Sequence, residues 1–296
     1  MLQPLLQAIV SGILAGGSYA LVAMGIVIIY RSSGIFNFAH GAVILVGALI
    51  FWTFITLTAL PLWACIIVTL VAVTVIGLAL EYLAMRPLLG QPILSGIMMT
   101  LGLSMLFLGI YQVVWGQRGI VSFPKFMAMG HWVLGEVVIG QANTLILITA
   151  ILFFILFTTY FRFTASGKQV QAICESHVIA QSVGIDVKRV LSMVWAVACI
   201  CAAISGVLIG MTGSVGLYLN EFVFMVIPVV ILGGLESIGG ALVAGLIVGL
   251  VEMISATFID PIIGGGFRQV APYLFLLIVL IAKPYGFFGW QRIERI

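Results

Sequence analysis

The chain reads as a series of long, unbroken apolar runs separated by short polar breaks. Nine runs stand out, at about 5–29, 38–58, 60–84, 92–115, 144–161, 190–212, 222–236, 239–258 and 269–283. Most approach or exceed the roughly 20 residues that an α-helix needs to cross the hydrocarbon core of a bilayer. A transmembrane barrel would instead show runs of about ten residues alternating apolar and polar. The pattern therefore predicts an all-α, polytopic membrane protein with eight or nine transmembrane segments. The uncertainty in number comes from the seventh run, which is short, contains Pro228 and is followed by Gly233-Gly234. It reads as a half-span or a re-entrant piece, which leaves the count at eight or nine.

Composition sharpens this picture. Of 296 residues, 63% are hydrophobic and 7% charged, against about 25% charged in soluble domains. Mean hydropathy is +1.32. A soluble globular fold and a disordered chain are both excluded. Twelve Lys and Arg against nine Asp and Glu are too few and too scattered for a nucleic-acid-binding face. No basic stretch precedes the first apolar run, so that run is expected to be a retained span and not a removable signal. Cys65, Cys174, Cys199 and Cys201 form no CxxC pair and no metal knuckle. No metal site is expected.

The distribution of Lys and Arg gives an orientation. With nine spans and the loop 162–189 cytoplasmic, the inside holds Arg31, Arg86, Arg162, Lys168, Lys188, Arg189, Lys283, Arg292 and Arg295. The outside holds Arg118, Lys125 and Arg268. This places the N-terminus outside and the C-terminus inside. Residues 116–143 then form an external loop with a short strand pair. The whole chain, 1–296, is expected to be one transmembrane domain with a cytoplasmic loop at 162–189.

Small residues four apart (Gly12 with Gly16, Gly206 with Gly210, Gly245 with Gly249) predict close helix packing. Gly41-Ala42-Val43 with Gly47 is faintly echoed by Gly240-Ala241-Leu242 with Gly245, which suits either an internal repeat or two unrelated Gly/Ala-rich spans.

Polar residues inside the apolar runs are the candidates for chemistry, because such groups are costly in a bilayer unless satisfied. Asn37 and His40 stand at the entrance of the second run, around Phe38. Either they mark a pathway and contact a substrate directly, or Asn37 caps the helix and His40 bonds a neighbouring helix. Glu81 is expected to pair locally with Arg86. Glu236 lies in a glycine-rich turn. Glu252 sits within its run and is expected either to be paired or to face a cavity. Nothing matches a P-loop, HExxH or GxSxG motif, so the chain is expected neither to be an enzyme nor to hydrolyse ATP. Residues 166–185 read as an amphipathic helix closed by Gly184, suited to a partner's groove or to the membrane surface.

Two of these segments carry a resemblance. Asn37-Phe38-Ala39-His40-Gly41 resembles the signature of the branched-chain amino-acid permease family, the LivH type. The stretch from Ala172 to Gly184-Ile185, with Glu175 and Ala180, resembles the cytoplasmic coupling loop of bacterial ABC importer permeases. Tyr19-Ala20-Leu21 and Leu232-Gly233-Gly234-Leu235 fall where that family has similar segments, and the likeness covers essentially the whole chain. It implies a subunit of an importer in the bacterial inner membrane. Its partners are a second permease, two ATPase subunits that bind the ATP, a periplasmic binding protein and membrane lipid. Nucleic acid is not among them, and the chain itself holds no cofactor. Gly167, Ala172, Glu175, Ala180 and Gly184 are then the coupling residues. Asn37, Phe38, His40 and Glu252 are the pathway residues. The chain departs from the family pattern at Ala42, where an acidic residue is frequent, and at Glu236, where glycine is common. The family also includes carriers of urea, short amides and organic acids, so the implied solute is a branched-chain amino acid or a related small polar molecule. The competing class is a self-sufficient secondary transporter or channel, which needs no ATPase and, as a transporter, depends on an ion gradient.

Overall fold

Each of the nine apolar runs carries a helix in the computed structural model, which describes residues 2–127, 129–175, 177–284 and 286–289, with backbone only at Lys125, His177 and Val178. Arg292, Arg295 and Ser176 therefore lie outside the described residues, as do the side chains of Lys125 and His177. The long helices are α1 (Leu2–Ser33), α2 (His40–Leu57), α3 (Leu62–Ala79, continued to Leu88), α4 (Ile93–Val114), α5 (Gln141–Phe163), α8 (Val187–Met211) and α10 (Ile238–Phe258). These seven have the length and apolarity to cross a membrane. Two shorter apolar helices, α9 (Tyr218–Gly233) and α12 (Phe267–Ala282), have 16 residues each. They span about 24 Å, short of a hydrocarbon core of about 30 Å. Shorter elements fill the loops: α6 (Ala165–Glu175), α7 (His177–Ser182) and α11 (Asp260–Ile263). The expected strand pair is present as β1 (His131–Leu134) and β2 (Val137–Gly140), antiparallel with His131 opposite Gly140.

The seventh run forms a single helix that passes through Pro228 and starts four residues before the apolar run begins. Proline cannot donate to the carbonyl four residues back, here that of Phe224. The Tyr273 hydroxyl donates to that carbonyl at 2.9 Å, replacing the lost bond. Backbone groups freed by proline need such a substitute in a membrane. The helix stops at Gly233 because Gly234 takes a left-handed conformation, φ +87°.

The chain divides into two compact units. Unit 1 comprises residues 1–27, 129–155 and 224–296. Its α1 and α10 meet through small residues. A Cβ on Gly16 would lie 2.7 Å from the Gly245 carbonyl oxygen, and one on Gly245 would lie 2.8 Å from the Ala20 nitrogen. The Gly12/Gly16 and Gly245/Gly249 pairs are thus two sides of one interface. Without a hydrophobic drive between helices in lipid, this close approach supplies the packing.

Unit 2 comprises residues 28–128 and 156–223. Here α8 is central and packs on both α2 and α3. Gly47 abuts Ala203, Gly206 abuts the Ile44 carbonyl, and a Cβ on Gly77 would stand 2.8 Å from the Trp195 carbonyl. Trp195 is fully buried, and Cys199 and Cys201 fill the same interior as small apolar groups. On α3 and α4 large apolar side chains such as Ile67, Val71, Met105 and Leu106 are exposed, as lipid-facing surfaces are.

Both sides of the faint sequence echo sit at helix starts against a backbone carbonyl: Gly41 against Asn220, Gly240 against Gly233.

Gly16→Leu is expected to destabilise unit 1 by about 2–3 kcal/mol, because its side chain meets backbone and not a movable side chain. Tyr273→Phe is expected to cost about 1–2 kcal/mol by removing the hydroxyl that donates to the Phe224 carbonyl. Thermal unfolding of the purified protein in detergent measures both. Val71→Leu, on the lipid-facing side, should leave the midpoint unchanged.

Candidate functional site

Three polar constellations lie within or beside the apolar helices, and each is built differently. In unit 1, Glu252 stands on α10 about two turns before its end and is almost fully buried. The Arg268 guanidinium, at the start of α12, reaches its Oε1 at 2.8 and 3.2 Å. The Tyr19 hydroxyl of α1 donates to its Oε2. Asp260 fixes the approach of α12 by accepting the Arg268 backbone N–H at 3.1 Å. Of the two expectations for Glu252, pairing is therefore the one realised. One carboxylate ties three helices together. Neither Tyr19 nor Arg268 was identified from the pattern of runs, because both sit at positions consistent with ordinary interface residues.

In unit 2, Glu81 and Arg86 form the expected ion pair, at 2.8 and 3.1 Å. The spacing of five residues works because Leu80–Met85 is a π-helical turn. Arg86 N–H there bonds the Glu81 carbonyl, so the two side chains are brought together. Ser192 of α8 joins them: its hydroxyl donates to Glu81 Oε2 at 2.6 Å, and Arg86 donates to the Ser192 oxygen at 3.0 Å. This ties the end of α3 to the start of α8.

Also in unit 2, Asn37, Phe38 and His40 form the turn that opens α2. Asn37 Oδ1 accepts the Ala39 N–H at 3.0 Å, and its carbonyl accepts the His40 N–H at 3.2 Å. The capping role expected of Asn37 is thus met only locally, since α2 itself starts at His40 with no side-chain cap. Phe38 is half-buried, its ring 4.7 Å from that of Phe36. Asn37 Nδ2 and His40 Nε2 are buried with no partner among the described residues. Polar groups of α4 and α9 lie close to this turn. Thr100 donates toward the Phe36 carbonyl at 3.4 Å, and Ser104 toward Asn220 Oδ1 at 3.5 Å.

The segment between α5 and α8 is helical over α6 and α7. Thr164 Oγ1 accepts the Gly167 N–H at 2.9 Å and caps α6. Its apolar stripe, Gly167, Val170, Ile173 and Ala180, is buried. A Cβ on Gly167 would lie 2.7 Å from Phe161 Cα, so α6 packs directly on the end of α5. The amphipathic face is therefore covered by this chain itself and is not what a partner or the bilayer receives. Gly184 closes the segment at φ +83°, with Gly184 N–H on Gln181 and Ile185 N–H on Ala180, both 3.0 Å. Asp186 caps α8 through the Arg189 N–H at 3.2 Å. Of the five residues expected to couple, Glu175 and Gly184 are exposed, Ala172 is half-buried, and Gly167 and Ala180 are buried. The exposed face also carries Ile179 and Val183, 66% and 70% exposed, one helical turn apart. Among the described residues, no group of three or more His, Cys, Asp or Glu is placed to hold a metal.

Long apolar helices closed by small-residue interfaces, with buried polar ties inside them, define a polytopic α-helical membrane protein. The chain belongs to the family of permease components of the branched-chain amino acid transport system, which matches residues 8–283. It is 28% identical over 308 residues to the high-affinity branched-chain amino acid transport system permease protein LivH of Escherichia coli K12, covering 98% of this chain and 97% of that protein. The corresponding permease BraD of Pseudomonas aeruginosa is 27% identical over 309 residues, covering 98% of each. Among solved structures, a chain of PsaBC from Streptococcus pneumoniae in complex with Fab aligns over 97% of this chain and 92% of its own, at 14% identity and a TM-score of 0.49.

Arg268→Ala is expected to destabilise the chain by about 2 kcal/mol. It leaves a buried carboxylate with Tyr19 as its remaining partner, and the half-exposed arginine keeps the loss below that of a fully buried pair. Glu252→Gln, which keeps an acceptor for Tyr19 and frees an arginine able to reach water, should cost about 1 kcal/mol. Thermal unfolding in detergent measures the order of the two; equal midpoints would contradict it.

Proposed function

We propose that the chain is one permease subunit of an ATP-driven importer in the bacterial inner membrane, carrying branched-chain amino acids or a related small polar solute. The family membership and the printed function of its relatives support this reading. The structural observation that carries it is the segment 165–185. It packs on its buried side against α5 and α8 and turns Glu175, Ile179, Val183 and Gly184 outward. A short, well-anchored helix with a mixed apolar and acidic outer face suits docking into a groove of a soluble subunit. That subunit is one of two ATPase subunits. A second permease and a periplasmic binding protein complete the assembly.

The chain contributes positioning and a path, not chemistry. Movement of the 165–185 segment is passed to α8 through Asp186, and from α8 to the end of α3 through Ser192, Glu81 and Arg86. Asn37, Phe38 and His40 lie along the solute's path. Glu252, with Tyr19 and Arg268, acts chiefly as a tie between helices.

Affinity purification of the tagged chain in mild detergent should bring down two distinct ATPase chains or one in two copies, together with a second permease. Reconstituted, that assembly should take up leucine only with ATP and the binding protein. Uptake driven by an ion gradient without ATP would overturn the reading. Gly184→Val places a β-branched side chain in the left-handed region at a cost of about 1–2 kcal/mol, and should lower ATPase co-purification while leaving the chain folded. Ser192→Ala should retain ATPase binding but reduce leucine uptake per ATP hydrolysed several-fold.

A further inference from the structure

We propose that the first turn of α2, with Asn37 and His40, forms a carboxylate-binding site within unit 2 that holds the solute's carboxylate during passage. This rests on the transport reading above and names the residues and ligand group that it leaves open.

Two buried polar nitrogens stand at this turn. Asn37 and His40 are each only 1% exposed, yet Asn37 Nδ2 and His40 Nε2 have no partner among the described residues. A buried polar group left unpaired costs about 1–3 kcal/mol, and folded proteins rarely keep such groups without a ligand or water to meet them. The Asn37 amide is not free to turn away. Its Oδ1 is engaged by the Ala39 N–H, which fixes the orientation of the amide.

The backbone adds to this. The first turn of α2 is served by His40 N–H on the Asn37 carbonyl and by Val43 N–H on that of Ala39. Ala39 offers no side-chain cap. The Gly41 and Ala42 amides, both buried, meet no acceptor among the described residues. They point along the positive end of an 18-residue helix. Residues 31–57 contain no Asp or Glu to neutralise it. A helix start with free amides and a side-chain amide beside it matches a small anion. Gly41 is required there because a Cβ would overlap the Asn220 carbonyl, so the turn sits flush against the start of α9. The whole group is covered in this conformation. A solute reaches it only when the first turn of α2 opens, which suits a site visited during transport.

Two substitutions separate this site from a purely structural turn. Asn37→Ser keeps an acceptor for the Ala39 N–H and removes the Nδ2 donor. Asn37→Asp keeps the same shape and places a carboxylate of its own at the helix start. Each is examined in the complete importer reconstituted in proteoliposomes with its binding protein, with radiolabelled leucine as the probe. Thermal midpoint and ATP hydrolysis stimulated by the binding protein are followed alongside. Both variants should keep the midpoint and stimulated hydrolysis, within about twofold, while leucine uptake falls at least about tenfold. Asn37→Asp should be the more severe, since its carboxylate competes for the same amides. A structural cap predicts the opposite, because an acid at a helix start stabilises the helix and uptake by Asn37→Asp would match or exceed that of the unmodified protein. That result overturns the site. So does uptake within twofold of normal in Asn37→Ser, or a fall in midpoint, hydrolysis and uptake together. If Asn37→Asp does not fold, Asn37→Ser decides. Failure of the unmodified assembly to take up leucine with ATP removes the transport reading, and the site with it, before any variant is compared.

Discussion

Inside a bilayer there is no water to meet a backbone amide or carbonyl, and this constraint governs the long apolar helices of the chain. It forces the apolar runs into helices, whose backbone bonds close within the segment. It also sets what happens wherever a helix is imperfect. Pro228 frees the Phe224 carbonyl, and a tyrosine hydroxyl from α12 takes it up. The π turn at Leu80–Met85 widens the ladder, and the side chains it brings together are bound into a three-residue cluster with Ser192. The start of α2 stands out because some of its donors are not taken up at all.

The same constraint explains the glycines. Lipid tails are as apolar as leucine, so burial alone does not draw helices together. Contact has to come from surfaces that fit at backbone distance. Gly12 and Gly16 supply one such surface to Gly245 and Gly249, and Gly47, Gly77 and Gly206 do the same around α8. Polar ties then fix registers that small residues leave permissive: Glu252 among α1, α10 and α12, Glu81 between α3 and α8. Each tie uses one carboxylate with a cation and a hydroxyl, the arrangement that satisfies a buried charge most fully.

Against this background the 165–185 segment follows different rules. It lies outside the long apolar helices and carries charge. It is anchored by conventional soluble-protein devices: a Thr164 cap, a glycine-closed C-terminus at Gly184, and an Asp186 cap on the following helix. Those devices satisfy the backbone groups at the ends of its helices. The segment leads directly into α8, which packs on both α2 and α3 in unit 2.

Much of this was legible in the sequence. The helices of the nine apolar runs follow from run length, close packing at Gly12/Gly16 and at Gly245/Gly249 from spacing, the Glu81–Arg86 pair from proximity, and the close of the 165–185 segment from Gly184. Each of these depends on neighbours along the chain or on a rule of composition. What the tertiary structure decided depends on which helices meet. Tyr19 and Arg268 become partners of Glu252 across more than two hundred residues and sixteen residues respectively. Ser192 joins Glu81, and Tyr273 rescues the helix through Pro228. The buried side of the 165–185 segment proved to be covered by this chain, which amphipathicity could not reveal because periodicity shows that a face is apolar and not what covers it. The open donors at Asn37 and His40 belong to the same class: whether a polar group is satisfied is a property of its surroundings in space.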